Sequence, residues 1–117
     1  PVEQACLARS YATHTPIGEE LVTADELGPL DALVLTLDVA GERRQAASVA
    51  DMVVSPETLL GSIGRRYQMP PGSLVLFGTP PGTAHDRGEG WLRDGEDVVA
   101  RVGRSVELRC VVTPEGH

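Results

Sequence analysis

Apolar and polar positions along the chain change period twice. In LDALVLTLDV, Leu33, Leu35, Leu37 and Val39 alternate with Val34, Thr36 and Asp38, the period of a half-buried strand over about 30–39. Ala40-Gly41 is a turn signal, and Glu42 to Ala46 reads as the returning strand. The period then lengthens. In SPETLLGSIGRRYQ, Ser55 suits an N-cap, Pro56 the first helical position and Glu57 the positive helix end. Leu59, Leu60, Ile63 and Tyr67 recur three or four apart, which predicts one main helix at about 56–68. Gly61 and Gly64 each weaken that helix by roughly 1 kcal/mol relative to Ala, so tertiary packing has to hold it. Pro70-Pro71-Gly72 ends it, and Leu74 to Phe77 reads as a short buried strand. Beyond the Asp94-Gly95 turn, Val98, Ala100 and Val102 and then Val106, Leu108, Cys110 and Val112 alternate with their neighbours, as a hairpin with one wet face does. The expectation is a mainly β fold, a mixed roll or sandwich, with one helix and a loose tail at 113–117.

Composition narrows the function. The 117 residues are the size of one domain and enough to bury a core without disulfides or metal. Aromatic residues are only 3%, so Val, Leu, Ile and Ala must fill that core. A net charge of −7 argues against nucleic acid and against an anionic membrane surface. All ten basic residues are arginine, which excludes a lysine Schiff base within the chain. Cys6 and Cys110 lack metal-site spacing and read as free core thiols in a cytoplasmic protein. No apolar run approaches the ~18 residues of a membrane span. The chain opens at Pro1 without a start-like segment, which suggests that something upstream has been removed.

The chemistry-bearing stretch is FGTPPGTAHDRGEG, Phe77 to Gly90, where an apolar run ends in glycine, threonine and proline around Thr79. Glycine serves an unusual dihedral or a close approach, and proline fixes φ. The segment lacks the GK[ST] ending of a phosphate loop. His14, His85 and His117 do not share helical spacing, and Asp51 and Glu19-Glu20 have no partners at ligand spacing, so no metal site is expected in this chain.

Four stretches in order carry a resemblance. ARSYATHTPIGEELVTADEL, VAGERRQAASVADMVVSPETLL, PPGSLVLFGTPPGT and WLRDGEDVVARV resemble the later catalytic-domain motifs of the fumarylacetoacetate hydrolase family, over about residues 5–112. The family patterns are GKSFDTFxPLGP, NGExRQ followed by DMIF, PGDxIxTGTPxGV and LKxGD. The resemblance implies the family's catalytic-domain fold, with residues 1–117 as one domain matching its C-terminal portion. It implies that Thr79 meets a ligand oxygen through its N–H and hydroxyl, that Gly78 allows close approach, and that Pro80 and Pro81 stiffen the rim. Arg9 stands where the family has lysine, and can clamp a carboxylate but not give up a proton near neutral pH. Ala12 replaces the family aspartate, and His14 replaces a phenylalanine, which makes it the candidate catalytic acid or base. Complete members are expected to bind Mg²⁺ or Mn²⁺ through carboxylates upstream of these motifs, so the metal-binding half is expected to lie outside this chain. The implied activity is hydrolysis, decarboxylation, hydration or isomerisation of a small 2-oxo or 1,3-dicarbonyl acid. The alternatives are a shortened, metal-free descendant that binds a ligand or catalyses a cyclisation or dehydration, and a non-catalytic subunit. On any of them a sheet this small implies a homo-oligomer or a complementing chain.

Overall fold

The computed structural model describes residue 7, residues 9–104 and residues 106–114. Four strands, β1 (Val34–Val39), β2 (Glu42–Ser48), β3 (Asp97–Val102) and β4 (Val106–Val111), form an antiparallel sheet in the order β2-β1-β3-β4. Short helices accompany it, among them α1 (Ala24–Leu27), α2 (Pro56–Gly64) and α3 (Ala84–Arg87). The fold is mainly β, as the alternating runs predict. Among the described residues no helix is long and apolar enough to cross a membrane.

Turn chemistry sets the register. Val39 pairs with Glu42 across a two-residue loop, and both Ala40 (φ 49°) and Gly41 (φ 79°) take positive φ. That is the signature of the tight hairpin turn whose twist matches its strands. The sheet then sorts its faces. Leu37 pairs with Ala100, and Ala100 with Leu108, on the apolar face. On the other face charges run across all four strands. Arg43 of β2 bonds Asp38 of β1; Arg101 Nη1 of β3 lies 2.7 Å from Asp38 Oδ2, and its Nε 2.8 Å from Glu107 Oε2 of β4. The hydrogen bond from Arg43, with the Arg101 bond and charge behind it, holds the Asp38 carboxyl below the usual carboxylate range.

The structure corrects two boundaries and one element. β1 begins at Val34, because Leu30–Ala32 closes into a 3₁₀ turn that bonds Leu33 N–H to the Leu30 carbonyl. α2 has the predicted start: Ser55 Oγ accepts from Thr58 N–H, and Pro56 is first in the helix. It stops at Gly64 instead of reaching 68, as two glycines in nine residues allow, and Leu60 and Tyr67 stay exposed. Leu74 to Phe77 forms no strand. It pairs with neither sheet edge, and Leu74 and Leu76 are 68% and 72% exposed. The apolar run there marks a surface without supplying a strand to cover it.

Burial is shallow. Among the described residues Leu33, Val39 and Val99 are the buried apolar side chains of the core, joined by one polar residue, Gln45. Cys110 is a half-buried free thiol; Cys6 and His117 lie outside the described residues.

Candidate active site

The segment after Leu76 is fastened to the sheet by two successive residues of β2. Between Leu37 and Asp38 the β1–β2 register shifts by one: Leu37 faces Gln45 but Asp38 faces Arg43, leaving Arg44 as the extra residue of a bulge. Gln45 reaches the Gly-Thr-Pro segment. Its Nε2 lies 2.6 Å from the Pro80 carbonyl and 3.3 Å from Thr79 Oγ1. Arg44 serves the next stretch. Its carbonyl oxygen would clash with a Cβ added at Gly82, and its Nη1 lies 2.6 Å from where a Cβ on Gly90 would stand. Gly82 also has φ 106°, so backbone approach and dihedral both demand glycine there. The Arg44 Nε is buried without a hydrogen bond, while its Nη2 lies 3.4 Å from Glu42.

These fastenings hold Gly78 and Thr79 open to solvent beside a half-buried Pro80. The polar loop that follows is a single capped turn, α3. Thr83 Oγ1 accepts from Asp86 N–H, and Asp86 Oδ2 accepts from Thr83 N–H. Hydrogen bonding to Thr83, its side chain first, lowers the Asp86 carboxyl below its ordinary range. Gly88 closes the turn in the left-handed conformation.

Arg9 and His14 share a second, exposed turn. The Thr15 hydroxyl donates to the Arg9 carbonyl at 2.8 Å, and the Tyr11 and His14 rings stack at a tilt with centroids 5.4 Å apart. His14 Nδ1 lies 3.1 Å from the Ala12 carbonyl. A carbonyl can only accept, so that nitrogen carries the proton and Nε2 keeps the lone pair in the neutral ring. The structure thus brings Gly78, Thr79 and Pro80 together on Gln45, and places Arg9 and His14 on one turn. Gln45 and Arg44 are the residues that sequence reasoning passes over. A glutamine at an inward strand position of GERRQ is the signal that points to the first. The bulge that turns Arg44 aside leaves no mark in the pattern.

Among the described residues no three His, Cys, Asp or Glu side chains gather into a group able to hold a metal ion. The loop's acids are committed, Asp86 to Thr83 and Glu89 to Arg87, and so is Glu42 of β2 to Arg44. These residues do not fit Mg²⁺ or Mn²⁺, and no chemical step is assigned to a metal held by them.

The family model described as fumarylacetoacetate (FAA) hydrolase C-terminal matches residues 1–113. A maleylpyruvate hydrolase from Aquipseudomonas alcaligenes is 30% identical over 102 residues, which is 87% of this chain and 33% of that protein. A mitochondrial oxaloacetate tautomerase of Rattus norvegicus is 30% identical over 101 residues, 86% of this chain and 32% of its own. The crystal structure of maleylpyruvate hydrolase from Sphingobium sp. SYK-6 superposes with a TM-score of 0.82 at 24% identity, over 94% of this chain and 39% of that one, and shows the shared fold. The chain spans about a third of the length of the curated relatives it matches. With four motifs in order, a family model over nearly every residue and a common fold, the chain belongs to the fumarylacetoacetate hydrolase family, to whose C-terminal part it corresponds.

Proposed function

We propose that this chain forms the later part of an enzyme acting on a small 2-oxo or 1,3-dicarbonyl acid. The carrying observation is the exposed Gly78–Thr79 rim fixed to a buried Gln45. A rigid, open segment with a hydroxyl and a backbone N–H at its tip suits a carbonyl or carboxylate oxygen. Relatives named for hydrolysis of maleylpyruvate and tautomerisation of oxaloacetate support that substrate class. Within it, proton transfer at the carbon beside the carbonyl is the step these side chains suit best.

In this reading Arg9 clamps the ligand carboxylate and Thr79 donates to the carbonyl oxygen, stabilising negative charge as it develops there. His14 Nε2, left with its lone pair by the Nδ1 bond to Ala12, takes the proton from the adjacent carbon and returns it at the other position. Residues beyond this chain complete the enclosure. The exposed Leu74, Leu76, Trp91 and Leu92 favour a further polypeptide, another copy or a complementing chain, over this surface.

The test is turnover of oxaloacetate and a panel of related acids by the purified protein, with Arg9→Ala and Thr79→Val alongside. A charged hydrogen bond is worth about 1.5–3 kcal/mol, so Arg9→Ala should lower kcat/KM by about tenfold or more. Unchanged activity in both variants, with the fold intact, places the chemistry elsewhere.

A further inference from the structure

Gln45 is the buried polar side chain among the described residues, and the proposed chemistry uses it only to fix the rim. Its orientation is fixed by hydrogen bonding. The Pro80 carbonyl has no proton to give, so the atom 2.6 Å from it is the amide nitrogen. That same nitrogen lies 3.3 Å from Thr79 Oγ1. An amide nitrogen donates and does not accept. Thr79 Oγ1 therefore accepts from Gln45, and the hydroxyl proton is left for another partner. Within the chain that proton has one weak acceptor, the Pro80 carbonyl at 3.5 Å, beyond the usual O–H···O range of about 2.5–3.0 Å and open to replacement by a ligand oxygen. Thr79 is exposed, so a ligand oxygen can reach that hydroxyl.

We infer that Gln45 is a positioning residue that commits the Thr79 hydroxyl to donate, so that the rim takes an acceptor oxygen of the ligand, carboxylate or carbonyl, and discriminates against an ammonium group at that point. This rests on the small-acid reading above and adds the device that sets its polarity.

Gln45→Glu keeps the shape and reverses the sense. When ionised, the substituted carboxylate accepts from the Thr79 hydroxyl and consumes its proton; when protonated, it can donate as glutamine does. Burial raises a carboxyl's pKa, so the switch should lie at or above the ordinary glutamate value of about 4.3. The probe is pyruvate, which stays ionised throughout, titrated into the full chain by NMR between about pH 7.5 and about pH 4.5. Charged and titratable groups on the surrounding elements are Glu42, Arg43 and Arg44 of β2, Asp38 of β1, and His85, Asp86, Arg87 and Glu89 of the loop. Taking the ratio of variant to wild-type affinity at each pH removes their titrations.

The expected result is a loss of about tenfold for Gln45→Glu near pH 7.5 that shrinks steadily on acidification. Gln45→Met, similar in size but without a donor, should show a loss that does not change with pH. Melting temperatures of Gln45→Met, Thr79→Val and the double variant provide an arm that needs no ligand. They should show non-additive effects if the pair is bonded. Additive melting effects overturn the assignment. So does a Gln45→Glu to wild-type ratio that ignores pH while wild type binds pyruvate, and in that case the small-acid reading survives. If wild type takes up no pyruvate although the pair is coupled, the small-acid reading falls and the assigned polarity falls with it.

Discussion

At the residue scale the structure turns on a few positions where backbone conformation leaves little choice. Gly82 is the sharpest. Its φ of 106° and the Arg44 carbonyl pressed against it mean that Gly82→Ala must move either the loop or the bulge. A destabilisation of about 1–3 kcal/mol is expected, read as a lower urea midpoint. Ala40 is the opposite case. It holds φ 49° in a turn that favours asparagine followed by glycine, so Ala40→Asn should stabilise by about 0.5–1 kcal/mol. Loss of stability in a thermal melt would show that Ala40 is held by something other than the turn. Asp38 contributes to the acid limb. Its folded pKa lies below the ordinary 3.8, chiefly through the Arg43 hydrogen bond. The stability it adds is therefore complete above its unfolded pKa and is lost as pH falls through the folded one. Asp38→Asn should be less stable than wild type at neutral pH and converge with it in acid. Parallel pH–stability curves for the two proteins would contradict this.

At the element scale, what the sequence reveals follows local chemistry. The two hairpins are legible because period-two alternation and the Ala40-Gly41 turn are local signals, and the α2 start is legible because Ser55 and Pro56 are. Leu74–Phe77 misleads because an apolar run reports a surface that wants cover, and no sheet edge in the described chain meets it. Thr79 stands out through its motif. Its partner Gln45, 34 positions away in sequence, depends on a register shift that no periodicity encodes. The length of α2 is open to a direct check. A Cβ at Gly61 would come no closer than 3.7 Å to Arg65, and one at Gly64 meets nothing within 4 Å. Alanine at each should thus stabilise by about 0.5–1 kcal/mol and raise helical circular dichroism. A decrease would mean that the glycines serve a contact beyond this chain.

At the scale of the whole molecule, the few buried and many exposed apolar side chains among the described residues fit the proposed cover by a further polypeptide. Leu74, Leu76, Trp91 and Leu92 are each more than half exposed, and the matched stretch is 33% of the maleylpyruvate hydrolase relative. Association at micromolar concentration is expected in sedimentation, and a stable monomer would argue that the apolar surface is tolerated. The central claim, however, is that the rim after Leu76 is the place where a small acid is held. The most direct measurement is a pyruvate titration followed by backbone amide shifts of the full chain. Saturable shifts concentrated at Gly78, Thr79 and Gly82 are predicted, with Gln45 side-chain and Arg9 signals moving at the same midpoint. Shifts that saturate elsewhere while those amides stay still would contradict it.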